Sequence, residues 1–317
     1  VTIRFYRRED AAEWVRLMNL LRGTPLGLAD FLEREKRMAG ADAPIRLVIG
    51  EEGALVVAGQ LARSPYVPAG YLRTEIAVSA LHRRAGLGSR MLAELEHQAR
   101  RSGFDGLYGE QPDSATETLD WLKRRGFAIA RRRRESRLPT AVRAENPARQ
   151  DAGLRLPPAF RLVTMAEGYP GWDLLLPFLR DRLGETPDLE GLPPWSMQQL
   201  DRIFRTNPNA RPDWVLAALH GDDLAGAGAL HRAGADAYVY FVGVERKHRG
   251  LGLGTALLEG LVGKAAEAGC AEVRIDNLEE NRPALRMTEK TGFTPHRTRL
   301  ELRKRLDPAY PAASRGG

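Results

Sequence analysis

Val78-Ser-Ala-Leu-His-Arg83-Arg84-Ala-Gly86-Leu-Gly88-Ser89-Arg-Met-Leu92 and Val244-Glu-Arg-Lys-His-Arg249-Gly250-Leu-Gly252-Leu-Gly254-Thr255-Ala-Leu-Leu258 are two copies of one pattern. The second begins 166 positions after the first, and the offset holds downstream without a gap. Lys123-Arg-Arg-Gly126-Phe127 answers Glu289-Lys-Thr-Gly292-Phe293. Upstream the echo continues with small shifts: Ile3-Arg-Phe-Tyr against Phe160-Arg-Leu-Val, and Arg46-Leu-Val-Ile against Trp214-Val-Leu-Ala. Two glycine signatures and two Gly-Phe pairs in constant register mark a tandem duplication. Pro139, Pro147, Gly153, Pro157 and Pro158 read as the linker between the copies. The expected organisation is a first domain over 1–143, a linker over 144–158, a second domain over 159–308 and a flexible tail over 309–317. A chain of 317 residues has room for two such cores.

Each copy reads as strands mixed with helices. An opening strand (3–7; 160–164) leads into a helical stripe, carried by Trp14, Val15, Leu17 and Met18 in one copy and by Trp172, Leu175, Leu176 and Leu179 in the other. Hairpins follow at 45–61 and 214–230, turning at Glu51-Glu-Gly53 and His220-Gly-Asp-Asp223. A longer strand (71–78; 237–244) runs into the glycine signature, which opens a helix (87–102; 253–268). Then come a strand (104–109; 272–276), a helix (114–125; 281–290) and a last strand pair after Gly-Phe. The class is a mixed α/β (α+β) fold, present twice in one pseudo-symmetric molecule.

Composition narrows the function. Hydrophobic residues are 43% and charged residues 28%, which excludes wholesale disorder. No stretch approaches the ~20 apolar residues of a membrane span, and nothing resembles an export leader, so the expectation is a cytoplasmic protein with no membrane partner. The single cysteine, Cys270, excludes an intrachain disulfide and any multi-cysteine metal site, and it reads as a small buried residue; no metal is expected. The net charge of +7 favours anionic partners. Nearly all of the basic residues are arginine. The run Arg131–Arg134 reads as a solvated face, and nucleic acid is an unlikely partner because no interleaved aromatics or reader motif accompany it.

The shared element is strand, short turn, Arg-x-x-Gly-x-Gly, helix. A first helical turn carries free N–H groups and positive potential, and glycines let a ligand approach the backbone. The result is an anion cradle, to which Arg83 or Arg84, and Arg249, can add charge-assisted bonds. A dinucleotide fingerprint fits poorly, because Arg84 and Ala85 stand where the second copy has Gly250 and Leu251. No Gly-Lys-Ser/Thr ending marks a Walker loop.

Val-x-x-x-x-Arg-x-x-Gly-x-Gly, then helix, strand and Lys-x-x-Gly-Phe, resembles the GNAT N-acetyltransferase superfamily. The second copy adds Asn281-Arg-Pro-Ala284-Leu-Arg-Met-Thr288-Glu-Lys290-Thr-Gly292-Phe293, similar to the family's Asn-x-x-Ala-x-x-x-Tyr-x-Lys-x-Gly-Phe segment. The resemblance spans both copies. It implies two tandem domains, each a mixed, mostly antiparallel sheet flanked by helices and related by a pseudo-two-fold, in a monomer or a homodimer. It implies acetyl-CoA as cofactor and a small-molecule or peptide amine as acceptor. Backbone groups of Ala77 and Val78, and of Val242 and Val244, are expected along the pantetheine arm. Arg84 to Ser89 (Gly86 and Gly88 among them) and Gly250 to Thr255 (Gly252 and Gly254 among them) should cradle the pyrophosphate, with hydroxyls from Ser89 and Thr255. Asn281 should touch the cofactor arm. Its counterpart in the first copy is Ala115. The implied reaction is direct attack of a primary amine on the thioester through a tetrahedral intermediate. A catalytically weak acyl-CoA-binding or sensing protein is the alternative.

That chemistry needs a neutral amine. Deprotonating one of pKa ~10.4 costs roughly 4.6 kcal/mol at pH 7. A base supplies part of this, and backbone N–H groups stabilise the oxyanion. Glu75 is the candidate base in the first copy; Phe241 replaces it in the second, beside Tyr238 and Tyr240. Tyr240 and Thr288 are the second copy's catalytic candidates. The family's tyrosine position holds Thr288 in one copy and Leu122 in the other, neither a competent acid. His82 and His248 read as turn residues or phosphate neighbours. Cofactor binding is expected in both copies and catalysis in the second.

Overall fold

The structure is a computed structural model that describes residues 2–141 and 156–307, apart from 23, 24, 39, 41, 42 and 52. The chain forms two compact units. The first gathers Val1–Gln111, Ala115–Ala130 and the chain from Glu301 on. The second gathers Pro112–Ser114 and Arg131–Leu300.

The first unit holds β1 (Ile3–Phe5), α1 (Ala11–Met18), α2 (Leu28–Arg37), β2 (Ile45–Glu51), β3 (Ala54–Ala62), β4 (Tyr71–Val78), α3 (Leu87–Arg101), β5 (Gly106–Pro112) and α4 (Thr116–Lys123). The helical stripe of α1 is buried as its spacing predicts, with Trp14, Val15, Leu17 and Met18 packed on Val48, Leu55, Ala58 and Ala77. On the opposite face, Met91 and Leu95 of α3 lie over Gly59. Both faces are therefore covered, which is why β2 and β3 read as near-continuous apolar runs rather than alternating ones.

The second unit repeats the plan. It contains β6 (Ala128–Pro139) from Arg131 on, β7 (Phe160–Thr164), α5 (Trp172–Leu183), α6 (Met197–Leu200), β8 (Ala210–His220), β9 (Asp223–Ala233), β10 (Asp236–Val244), α7 (Leu253–Glu267), β11 (Glu272–Leu278), α8 (Arg282–Thr291) and the start of β12 (Thr294–Arg305). Leu253, Leu257, Leu258 and Leu261 of α7 pack on Leu216, Leu230, Val239 and Val273 of the sheet. On the other face Leu175 and Leu179 of α5 meet Phe204, Val215 and Phe241. Each such leucine contributes about 1.5–3 kcal/mol by leaving water. The 184–211 region holds the single-turn α6 running into a π-helical turn at Asp201–Arg205.

The last strands depart from the repeat. Strand order in the first unit runs β1-β2-β3-β4-β5 and then β12, by its residues from Glu301; in the second it runs β7-β8-β9-β10-β11 and then β6. β6 pairs antiparallel with β11, from Glu272↔Pro139 to Leu278↔Arg133. Each sheet is thus completed by a strand from the other sequence repeat. A repeat boundary near 143 or 159 divides the sequence; by contacts, 131–139 lie in the second unit and 301–305 in the first. The linker expected over 144–158 lies outside the described residues as far as 155, and the tail expected over 309–317 lies wholly outside them.

Candidate active site

β4 pairs in parallel with β5 across Tyr71–Arg73 and Gly106–Tyr108 only, yet the strands run on to Val78 and Pro112. β10 and β11 pair only at Ala237–Tyr238 and Val273–Arg274 before running on to Val244 and Leu278. Each unit therefore contains a V-shaped opening edged by backbone groups. Ser79 N–H donates to Val56 O at 2.9 Å. Alternation along the strand then turns the amides of Val78 and Ile76 toward the opening and that of Ala77 toward β3. Likewise Glu245 N–H donates to Ala225 O at 2.8 Å, so Val244 and Val242 face the second opening. Val78, Val242 and Val244, expected along the cofactor arm, have their amides turned to the openings. Ala77 does not: its amide belongs to the β3 ladder and its methyl is buried under α1. The amide of Ile76 faces the opening instead. Finding it required the strand register, which the repeat does not encode.

The openings lead into the glycine signatures. Arg84 (φ 64°) and Gly86 (φ 78°) adopt the same left-handed backbone as Gly250 (φ 81°) and Gly252 (φ 86°). α3 and α7 begin directly after Gly86 and Gly252 with no side-chain cap; in α3 Ser89 N–H turns back to Gly86 O (3.1 Å), while the N–H groups of Leu87 and Gly88, and of Leu253 and Gly254, head the two helices. A Cβ built on Gly86, Gly250 or Gly252 would meet nothing within 4 Å, so the space over the turn is open. Gly254 is packed closely, since a Cβ there would lie 3.2 Å from Met287 Sδ, whereas one at Gly88 would make ordinary contact with Val78 at 3.5 Å. These cradles fit the phosphates of a nucleotide-bearing cofactor.

The arginines are placed by matching ties. Arg83 Nε donates to Val78 O (3.4 Å) and Arg249 Nε to Val244 O (3.0 Å). Arg84 pairs with Glu117 at 2.9 Å on the exposed surface. Ser89 Oγ accepts from Arg125, whose guanidinium lies 4.3 Å over the Trp121 ring. Arg125 thus stands beside the expected cradle; the sequence reading did not single it out, and the signal was its place beside the Gly126-Phe127 pair. Thr255 lies half-buried in the first turn of α7. His82 Nε2 is 3.1 Å from Glu51, and His248 is buried against Phe160 and His220, so both brace the turns.

Glu75 lies on the face of β4 that carries Ala77 toward α1. Its carboxylate accepts from Gln60 Nε2 and lies 3.4 Å from Arg73 Nε. Arg73 also reaches Glu110 (3.3 Å), which accepts from the Tyr108 hydroxyl (2.9 Å). Burial opposes the charge on Arg73, but Glu110 and Glu75 outweigh it and raise its pKa. In the second unit β10 has a bulge between Val239 and Phe241. Val239 packs under α7, whereas Tyr240 and Phe241 both pack with α5 and Phe204. Two neighbouring side chains on one face are the mark of a bulge. The Tyr240 ring stacks on His231 at 4.3 Å. Burial lowers the pKa of His231 to about 4.

Thr288 is buried, donates its hydroxyl proton to Ala284 O (2.6 Å) and accepts from Asn277 Nδ2 (3.1 Å). Its proton is committed to the helix backbone. Asn281 caps α8 by accepting from Ala284 N–H (3.3 Å) and donates Nδ2 to Asp188. Asp188 also accepts from Leu278 N–H (2.8 Å) and Arg133 Nη1 (3.2 Å). Arg131 bonds the carbonyls of Asp188 and Glu190, and Arg134 reaches Glu289 at 3.3 Å. The arginine run is therefore an internal clamp and not the expected solvated face; only Arg132 is exposed. Glu185 accepts from Arg249, Arg182 (3.0 Å) and Arg246 (3.2 Å). Burial works to raise its pKa, but those arginines prevail and lower it. Cys270 is buried and accepts from Arg232 at 2.9 Å. Among the described residues no cluster of His, Cys, Asp or Glu could hold a metal ion, and no helix is long and apolar enough to cross a membrane.

A splayed strand pair that feeds an uncapped, glycine-started helix, built twice, is the frame of a tandem acyltransferase. The acetyltransferase (GNAT) family model matches residues 12–127 and again 177–293, and the chain belongs to that family. It is 27% identical over 243 residues to a mycothiol acetyltransferase of Geodermatophilus obscurus, a match covering 74% of each chain. In fold it is similar to a GCN5-related N-acetyltransferase from Sphaerobacter thermophilus (TM-score 0.72, 18% identity, 97% and 96% of the two chains). It is equally similar to a tandem GNAT protein from the clavulanic acid biosynthesis pathway (TM-score 0.72, 19% identity, 97% and 100%).

Proposed function

We propose that the protein transfers an acetyl group from acetyl-CoA to the primary amine of a small molecule or peptide. The observation that carries this is the continuous path in each unit from the open strand edge to the uncapped helix start. Val78 and Ile76, or Val244 and Val242, would hold the pantetheine arm; the turns after Arg83 and Arg249 would hold the pyrophosphate. The thioester supplies an activated acyl carbon and a thiolate leaving group. This chain supplies the rest. Glu75, oriented by Gln60 and Arg73, takes the proton of the attacking amine, directly or through water. Backbone N–H groups on the open edge stabilise the developing oxyanion. Neither Leu122 nor Thr288 offers a proton to the thiolate, which is left to solvent. In the second unit a cavity of about 490 Å³ walled by Leu183, Leu189, Leu192 and Trp195 would take the acceptor; Tyr240 packs in the same apolar cluster as Leu183, Leu189 and Trp195.

Isothermal titration with acetyl-CoA, paired with a thiol-release assay over an amine panel, tests the reading. Binding with amine-dependent thiol release is expected. A stoichiometry of zero overturns it. Binding without release selects the sensing alternative, which the committed hydroxyl of Thr288 favours for the second unit.

A further inference from the structure

The second opening is crossed by its own chain. It has two arms. On one, Val244 O accepts from Arg249, which is bonded onward to Glu185. On the other, Glu279 N–H is spent on Arg132 O (3.0 Å), so the amide of Leu278 faces the opening, and there it donates to Asp188. Glu185 and Asp188 are three residues apart. The segment enters a 3-10 turn at Pro187–Leu189, capped by the Thr186 hydroxyl, which accepts from Asp188 N–H (3.3 Å). Its two carboxylates are thus tied one to each arm.

Its anchors are dense. Glu185 receives three arginines. Asp188 receives Leu278 N–H, Asn281 Nδ2, Arg133 Nη1 and the Thr186 hydroxyl (3.1 Å). Both carboxylates are largely shielded from water, at 18% and 16% side-chain exposure. The donors so engaged on the opening are those an entering cofactor would need: Leu278 N–H, Asn281 and Arg249. The first repeat has Pro112, with no N–H, and Ala115 at the positions of Leu278 and Asn281. Of the three donors it keeps only Arg83, at the position of Arg249.

Resting on the reading that the opening takes the arm of a coenzyme A thioester, we propose that Glu185–Asp188 is a displaceable strap. It holds the second opening closed, and the thioester enters when Asp188 releases Leu278 and Asn281. Among the described residues the first opening has no such strap, and it loads freely.

The test uses the full chain, with Gly86→Glu blocking the first cradle so that acetyl-CoA binding reports the second, and Gly252→Glu for the reverse. Stopped-flow binding and amide hydrogen exchange at Leu278 are both read. In the Gly86→Glu chain, Asp188→Ala is expected to raise the association rate at least tenfold and, without ligand, to speed Leu278 exchange at least tenfold. Arg131→Gln with Arg133→Gln, which loosens the strap from outside the groove, should act in the same direction, and it keeps the test readable if Asp188→Ala folds poorly. An unchanged association rate, or unchanged Leu278 exchange, overturns the strap. So does a second opening that stays empty with and without Asp188 while the Gly252→Glu chain binds; that outcome leaves the proposed function standing for the first unit. No binding in any chain overturns the proposed function itself, and the strap's role with it.

Discussion

The two openings share a backbone and differ in almost everything that borders it. Both turn through two left-handed residues into an uncapped helix, although one copy does so with Arg84 and the other with Gly250. Around that common frame the first unit places a carboxylate, Glu75, on an unbroken β3–β4 ladder. The second has a bulge at Tyr240, a donor pair at Leu278 and Asn281, and a strap that occupies both. The duplicated feature is therefore the anion cradle, which is mostly backbone and tolerates sequence change. The side chains that would do chemistry have diverged, so the two units should not behave alike.

The largest expected effect removes the shared feature. Gly86→Glu or Gly252→Glu places a carboxylate and a strained left-handed side chain in one cradle. Affinity for acetyl-CoA in that unit should fall at least 100-fold, seen as loss of one binding site by titration. If neither change affects binding, the cradles are misplaced and the comparison ends there. Next comes the divergent feature. Glu75→Gln should lower turnover about 10²-fold or more while leaving acetyl-CoA affinity within twofold. Unchanged turnover would move catalysis to the second unit, as the fuller Asn281 segment suggests from sequence alone.

That ambiguity shows where the sequence stops being readable. The duplication, the glycine-started helices and the helix expected over 281–290, found at Arg282–Thr291, were legible because each is a local pattern with a local cause. The exchange of β6 and β12 was not, since nothing in a strand's own residues says which neighbour it joins. The bulge escaped because the offset of 166 holds on its far side: Leu72 faces Leu107 as Ala237 faces Val273, one position out of step, and Tyr240 is the added residue. Asp188 sits 90 residues from Leu278. Long-range polar contacts of this kind leave no periodic trace.

A mid-sized effect separates the units by acid sensitivity. His231 pairs with Tyr238 in the second unit, where the first unit's ladder pairs Ala62 with Arg73. Burial lowers the pKa of His231 from 6.5 to about 4. Between these values the unfolded chain binds a proton that the folded chain refuses, so stability rises with pH through the window and is flat above it. The contribution present above pH 6.5 and lost by pH 4 is roughly 3 kcal/mol. Urea unfolding of the second unit should show that slope, and His231→Phe should remove it. An equal slope in the variant would assign the acid sensitivity elsewhere.

The smallest expected effect probes the shared backbone directly. A non-glycine residue in the left-handed region costs roughly 1–2 kcal/mol, and glycine gives back about 0.5–1 kcal/mol through the entropy of the unfolded chain. The exposed pair with Glu117 is worth at most about 1 kcal/mol. Arg84→Gly should therefore change stability by no more than about 1 kcal/mol, on the stabilising side when the pair contributes little. Gly250→Arg should destabilise by about the same amount. Shifts of about 2–4 °C in the midpoint of thermal unfolding are large enough to read. If Arg84→Gly instead lowers the midpoint by many degrees, Arg84 is actively holding its turn through contacts that Gly250 does not need. The two cradles would then share a shape without sharing its cause, and the first would be the one that a single substitution can dismantle.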